Sequence, residues 1–174
     1  MPTGTNGDDL IFGVGPGNNI YDLLAGNDTL VLAPDTAGTS LVYGGSGIDT
    51  VTYLGSLLPL YASLLTNSAT YGTATHTYDS IENLIGGIEN DEITGDGNAN
   101  QLEGNRGSDV IYGGGGIDVI YGDNIVNGDE RSSDGGDFLF GDDGNDLIYG
   151  QSGDDRLYGG LGEDHLEGGT GSDL

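Results

Sequence analysis

Positively charged residues are almost missing from this chain. Its 174 residues include 3 Lys and Arg against 29 Asp and Glu, for a formal net charge of −26. A surface this acidic repels phosphate groups, which excludes nucleic acid and anionic membrane as natural partners. No apolar run approaches the length of a membrane span. The first ten residues also lack the basic and apolar regions of a signal peptide.

Cysteine is absent as well. Its absence fits a reducing cytosol or a secreted protein without disulfides, so it does not decide the compartment by itself. No zinc-protease helix, nucleophile elbow or phosphate loop is present. The 2 histidines, His76 and His165, have no partner that indicates metal binding or catalysis, and we expect both on the surface. We therefore predict that the chain is not an enzyme.

Glycine, in contrast, is abundant and recurs with a fixed period. The chain has 36 glycines, and residues 104–121 and 141–167 divide into units of nine. Glycine opens each unit and returns at the fourth place, aspartate takes the sixth place, and a large aliphatic residue takes the eighth. Acidic residues at one fixed place indicate ligands more than a solvated or disordered surface.

Each unit predicts a turn followed by a short strand. Glycine adopts backbone angles that are closed to other residues, so the first six residues predict a tight turn. The last three, such as Val110–Tyr112, are β-branched, aliphatic or aromatic, and predict a strand. Turn-strand units of constant period stack into a solenoid in which each coil contacts its neighbours. We therefore predict an all-β solenoid with the eighth residue in the core.

This pattern resembles the haemolysin-type calcium-binding repeats of bacterial RTX proteins, over nearly the whole chain. The resemblance implies a right-handed parallel β-roll in which two units, one on each side, make a coil of about eighteen residues. Such coils stack sixth-place aspartates in pairs: Asp91 over Asp109, Asp137 over Asp155, Asp146 over Asp164, and Asp155 over Asp173.

The spacing of stacked coils favours calcium as the ligand, with several ions bound. Neighbouring parallel strands lie about 4.7–4.9 Å apart. An ion midway between two stacked carboxylates lies about 2.4 Å from each, which suits calcium and is too long for magnesium. The predicted carboxylate ligands are Asp9, Asp28, Asp49, Asp91, Asp109, Asp118, Asp137, Asp146, Asp155, Asp164 and Asp173. The resemblance adds glycine carbonyls from the turns, namely Gly107, Gly114, Gly116, Gly144, Gly153, Gly160 and Gly162.

The chain is predicted to form one elongated module over residues 1–174, with three parts. Residues 1–52 are degenerate coils, 53–85 are an irregular insert, and 86–174 are regular repeats with an extended turn at 122–134. Weaker or absent sites are expected where Asn19, Ser40 and Asn100 replace aspartate. The extended turn leaves open which residues stack on Asp109 and Asp118.

The insert allows two interpretations. Leu58, Leu60, Ala62 and Leu64 alternate as in a strand, whereas the leucines from Leu54 to Leu65 also fit one helix face. A proline at position 59 and alternating threonines favour strands. We expect the insert to pack its leucines on the flank of the coil, where it joins or caps the two halves.

A core of one aliphatic side chain per nine residues is thin, so metal binding should supply much of the folding free energy. We therefore predict a calcium-binding structural module of a secreted bacterial protein, which folds outside the cell. The resemblance implies export by a one-step exporter that reads a C-terminal signal. Residues 168–174 do not contain such a signal, so the remainder of a larger secreted protein is an expected partner.

The apolar residues at the seventh and ninth places support an alternative. They either form aromatic ladders that stiffen the sheets or provide a docking face for a glycan, a protein or a second copy. In the second case the chain is a calcium-dependent recognition module, for polysaccharide or a cell surface, attached to an enzyme or an adhesin.

Overall fold

The computed structural model describes residues 3–13, 17–32, 37–124 and 135–174, and every regular element in these ranges is a β-strand. The strands are β1 (Leu10–Phe12), β2 (Asn19–Asp22), β3 (Thr29–Val31), β4 (Ala37–Tyr43), β5 (Thr50–Thr52), β6 (Leu60–Ser63), β7 (Ser68–Tyr71), β8 (Thr73–Asp79), β9 (Asn83–Ile85), β10 (Glu92–Thr94), β11 (Gln101–Asn105), β12 (Val110–Tyr112), β13 (Gly115–Gly116), β14 (Val119–Asp123), β15 (Phe138–Gly144), β16 (Leu147–Ser152), β17 (Arg156–Leu161) and β18 (His165–Thr170). No helix able to span a membrane occurs among these residues.

The chain visits two sheets in turn. The first sheet has the order β1-β3-β5-β9-β11-β14-β16-β18, and its pairings are parallel. The second sheet has the order β13-β15-β12-β10-β6-β7-β8-β4-β2, with β17 also paired to β15. One strand from each sheet makes one coil. The predicted parallel β-roll is confirmed.

Coil length follows the nonapeptide period except where residues are inserted. Ile93 pairs with Ile111, and the aspartates before these strands are 18 residues apart. The next step on this side is 28 residues, because Ile111 pairs with Leu139. The chain therefore re-enters register at Asp137 after the extended turn, as predicted. Residues 125–134 of that turn lie outside the described ranges.

In the regular coils, the core is a row of aliphatic side chains between the two sheets. The eighth-place residues from Leu84 to Ile148 are fully buried, namely Leu84, Ile93, Leu102, Ile111, Ile120, Leu139 and Ile148. Leu157 is only partly buried and Leu166 is 41% exposed, although both were predicted to lie in the core. They lie on β17 and β18, each of which has a neighbouring strand on one side only.

This difference predicts unequal costs for one substitution. With calcium in excess, Leu139→Ala should lower the free energy of unfolding by about 2–5 kcal/mol, because it leaves a cavity between two sheets. At the matching place on β18, Leu166→Ala should cost about 1 kcal/mol or less. Denaturant unfolding of both variants measures the difference. Equal losses would contradict the assigned core.

The insert forms strands inside the second sheet. β6 pairs in parallel with β10, and β8 pairs in parallel with β4. β7 lies between β6 and β8 and is antiparallel to these two strands. The strand interpretation is confirmed, and the expected packing on the flank is wrong. Alternation along β6 buries Leu60 and Ala62, whereas Leu54 and Leu57, which precede the strand, are exposed.

Three strands in the place of one make the second sheet wider than the first at this level, by about 9–10 Å. Large side chains fill the added space: Tyr53, Tyr71, His76 and Tyr78 are buried. The Tyr53 hydroxyl lies 2.5 Å from the Tyr78 hydroxyl and 3.3 Å from Nδ1 of His76. The expected surface position of His76 is therefore wrong, and burial lowers its pKa to about 4. His165 is exposed, as predicted.

The outer faces of the sheets carry stacked aromatic rings. Tyr112, Phe140 and Tyr158 form one stack on the second sheet, with ring centroids 4.9 and 4.8 Å apart. Tyr121 and Tyr149 stack on the first sheet at 5.2 Å. The aromatic ladders expected at the ninth place are therefore present, and they join successive coils.

Candidate metal centre

Main-chain hydrogen bonds connect the sixth-place residues of successive coils. Most of these residues donate their N–H to Oδ1 of the aspartate in the next coil, as in Asp91 to Asp109 at 2.7 Å and Asp118 to Asp146 at 2.9 Å. At the insert the links differ: the Asp49 N–H donates to Oε2 of Glu82, and the Asn100 side-chain amide donates to the Glu82 main-chain carbonyl. We name the two resulting rows after their sheets. The first ladder contains Asp9, Asp28, Asp49, Glu82, Asn100, Asp118, Asp146 and Asp164. The second ladder contains Asp91, Asp109, Asp137, Asp155 and Asp173.

The structure brings together every aspartate pair that the eighteen-residue coil predicts. It also settles the two pairs that the sequence leaves open. Asp109 donates to Asp137, and Asp118 donates to Asp146, both across 28 residues. The extended turn therefore lengthens one coil without breaking either ladder.

The other carboxylate oxygen, Oδ2, has no hydrogen-bond donor in most of the buried ladder aspartates. Seven Oδ2 atoms are buried and accept no hydrogen bond from any described residue: those of Asp28, Asp49, Asp109, Asp118, Asp137, Asp146 and Asp155. A buried carboxylate oxygen without a partner is costly, because it has lost its water and gained nothing in return. Oδ1 already accepts an N–H, so Oδ2 is the oxygen of each of these carboxylates that is free for a cation.

Burial gives these carboxyl groups a strong preference for a positive partner or a proton. Loss of water raises the pKa of Asp91, Asp118 and Asp155 to about 6. It raises the pKa of Asp109 to about 8 and that of Asp137 to about 9, helped by repulsion from nearby carboxylates, namely Asp91 and Asp123 for Asp109, and Asp109, Asp123 and Asp155 for Asp137. A bound cation relieves the same two penalties, lost hydration and like-charge repulsion.

Four of the predicted aspartates have different surroundings. Oδ2 of Asp9 accepts from the Thr5 main chain at 2.5 Å, and Oδ2 of Asp91 accepts from Gly87 at 2.5 Å. These two oxygens therefore already accept hydrogen bonds, unlike the seven Oδ2 atoms above. Asp164 and Asp173 accept from the preceding coil but are only half-buried, since each follows the last connection of its ladder.

The predicted glycines are required by the packing of the turns. Gly114, Gly160, Gly107, Gly116, Gly153 and Gly162 have φ angles from 100° to 136°. A Cβ atom on Gly162 would lie 1.5 Å from the carbonyl oxygen of Gly144 in the coil before it. The carbonyl of Gly107 accepts from Gly135 at 2.8 Å, and that of Gly114 from Asp143 at 2.9 Å. A carbonyl oxygen has two lone pairs, so each can still contact a cation.

The ligand chemistry fits calcium. Within the described ranges, no three acidic or histidine side chains converge on one point. A cation at the ladders must therefore combine Oδ2 atoms with main-chain carbonyls. Calcium takes six to eight oxygen ligands in flexible geometry, whereas zinc prefers nitrogen and sulfur.

Glu82 is a ladder residue that the sequence analysis missed. Its Oε2 accepts the Asp49 N–H at 2.8 Å, which continues the first ladder across the insert. The signal is its position directly before β9, the place that aspartate takes before other strands. The unit around it lacks the repeat glycines, and that absence concealed it.

Comparison with protein families agrees with this geometry. A family model described as the RTX calcium-binding nonapeptide repeat (4 copies) matches residues 3–30, 76–109, 94–124, 103–130, 132–166 and 160–174. These matches cover well over half of the chain. A search of the curated proteins finds no match.

Proposed function

Because the chain belongs to the RTX calcium-binding nonapeptide repeat family, we propose that it is a calcium-binding structural module of a secreted bacterial protein, folding when it meets calcium outside the cell. The buried, unpartnered Oδ2 atoms of the two ladders carry this proposal. Calcium supplies the positive charge that these oxygens lack, and its binding free energy becomes folding free energy.

We propose that three groups of carboxylates bind the calcium ions. Asp28 and Asp49 form one in the first ladder, and Asp118 with Asp146 forms another. The second ladder contributes a continuous group of Asp109, Asp137 and Asp155. Asn100 separates the first two groups, and its amide hydrogen-bonds to Asp96 and Glu82 instead.

The remaining features of the proposal concern the cell and the parent protein. Calcium is scarce in the cytosol and abundant outside, so a chain of weak sites stays unfolded before export. We place the module in a larger secreted protein, exported in one step through a C-terminal signal. The buried acids occupy ladders with repeated geometry, which supports a structural role and not a catalytic one.

A single isosteric substitution tests the role of the ladders. Asp137→Asn keeps an oxygen for the Asp109 N–H but replaces the free oxygen with an amide nitrogen. Calorimetric titration should show the loss of at least one calcium ion, or a calcium affinity that is lower by about tenfold or more. The matched control is Asp79→Asn, because Asp79 is exposed and outside both ladders. If the two variants titrate alike, the ladders do not hold the metal.

A further inference from the structure

A groove crosses the outer face of the first sheet over β11, β14, β16 and β18. It consists of two adjoining cavities of about 610 and 270 Å³, which share Tyr121 and Gln151. Tyr149, Glu167 and Thr170 line the larger cavity, and Glu103 lines the smaller one. Asp123 also lines the smaller cavity, and it lies near enough to the second ladder to raise the pKa of Asp109 and Asp137.

In this groove, Oε1 of Glu103 and Oε1 of Gln151 are buried and accept no hydrogen bond from the described part of the chain. Oδ2 of Asp123, in contrast, accepts the Ser152 N–H at 3.1 Å. Burial also raises the pKa of Glu103 to about 7, which agrees with the loss of its water. Carboxylate and amide oxygens act as acceptors, so the groove needs a ligand that brings hydrogen-bond donors.

The wall beside these acceptors is aromatic and firmly held. Tyr121 and Tyr149 stack with an interplanar angle of 13°, and their strands are paired in the sheet. Tyrosine offers an apolar ring together with a hydroxyl group. An aromatic wall next to buried acceptors suits a ligand that carries both C–H groups and hydroxyl groups.

We propose that this groove binds a neutral saccharide of at least two sugar units. Strand β14 lies between the strands of Glu103 and Gln151, so their main chains are about 9–10 Å apart or more. A short saccharide spans this distance, and a single ion does not. Glu103, Glu167 and the net charge of −26 repel acidic sugars. An extended peptide is disfavoured because it pairs with sheet edges, whereas this groove lies on a face.

The proposal adds recognition to the structural module and assigns it no catalysis.

The test uses the full chain with calcium in excess and three neutral probes: cellohexaose, mannohexaose and laminarihexaose. Tyrosine fluorescence and calorimetry follow binding, which the absence of tryptophan makes practical. At least one probe should bind. Gln151→Gly should weaken it about fivefold to tenfold by removing an acceptor. This variant preserves the backbone, because Gln151 has φ 77° and glycine takes this place at Gly114 and Gly160.

Tyr158→Ala is the matched aromatic control, because Tyr158 is the last ring of the aromatic stack on the opposite sheet. It should leave saccharide binding unchanged. Binding of none of the three probes, or of only a chitosan or alginate hexamer, would overturn the proposal, as would equal weakening by Tyr158→Ala. Calcium titration of Gln151→Gly should match the unmodified chain, so a failure of saccharide binding is distinguishable from a failure of calcium binding.

Discussion

In excess chelator at neutral pH the chain loses its β-sheet circular dichroism and expands, and added calcium restores both. Without the cation, seven buried Oδ2 atoms have no partner, and the chain carries a net charge of −26. In the regular coils, each unit of nine residues buries one large aliphatic side chain. The free energy gained from this burial is too small to offset these costs. The radius of gyration should fall from roughly 44 Å to about 16 Å when calcium is added.

Small-angle scattering and circular dichroism measure this transition on the same samples. Magnesium at the same concentration is the control, and it should leave the chain expanded, because its shorter bonds and strict octahedral geometry do not suit these turns. A compact, β-rich profile in chelator would contradict the claim that the metal supplies the folding free energy.

Mild acid replaces calcium in part. With chelator present, lowering the pH from about 8 to about 5 should restore β-sheet signal to the metal-free chain. The folded-state pKa values of Asp91, Asp109 and Asp137 are about 6, about 8 and about 9, above the ordinary aspartate value of about 4. A group whose pKa is raised by folding binds its proton more tightly in the folded state. Its contribution is therefore full below the ordinary pKa and is lost as the pH rises through the folded-state value.

The size of this effect is several kcal/mol. Each pKa unit corresponds to about 1.4 kcal/mol, and the pKa of Asp137 is raised to about 9 by burial and by the charges of Asp109, Asp123 and Asp155. About pH 5 is the useful end point, because the chain remains above its isoelectric point of about 4.1 there. Circular dichroism against pH in chelator gives the measurement.

A neutral variant provides the check on this pH dependence. In the Asp109→Asn/Asp137→Asn double variant two buried charges are gone, so the metal-free chain should keep more structure at neutral pH and respond less to acid. Asp79→Asn removes one exposed charge and should respond like the unmodified chain. A metal-free chain that is equally unfolded at both pH values would show that the ladder carboxyls do not control folding.

The repeat made much of the fold predictable from the sequence. Glycine at the first and fourth places and an aliphatic residue at the eighth define a turn and a strand, so the positions of Ile111 and Ile148 in the core follow from the period alone. Stacking of Asp91 on Asp109 follows in the same way, because a constant coil length fixes the register. These features depend on local geometry that every unit repeats.

Features that depend on other coils could not be read from single units. The widening of the second sheet arises because β5 and β9 are adjacent while β6, β7 and β8 occupy one level, and only this pairing explains the burial of His76. The use of Oδ1 by a main-chain N–H also requires the neighbouring coil. Glu82 could not be identified from the glycine pattern of its own unit. Its place in the first ladder is shown by the hydrogen bond that it accepts from Asp49.

Diffraction from crystals grown in millimolar calcium, with anomalous scattering used to locate the ion, tests the central claim most directly. The account predicts calcium peaks about 2.3–2.6 Å from Oδ2 of Asp118 and Asp137, completed by main-chain carbonyl oxygens of the adjoining turns. Ladders that show no anomalous peak, with these Oδ2 atoms bound to ordered water alone, would contradict it.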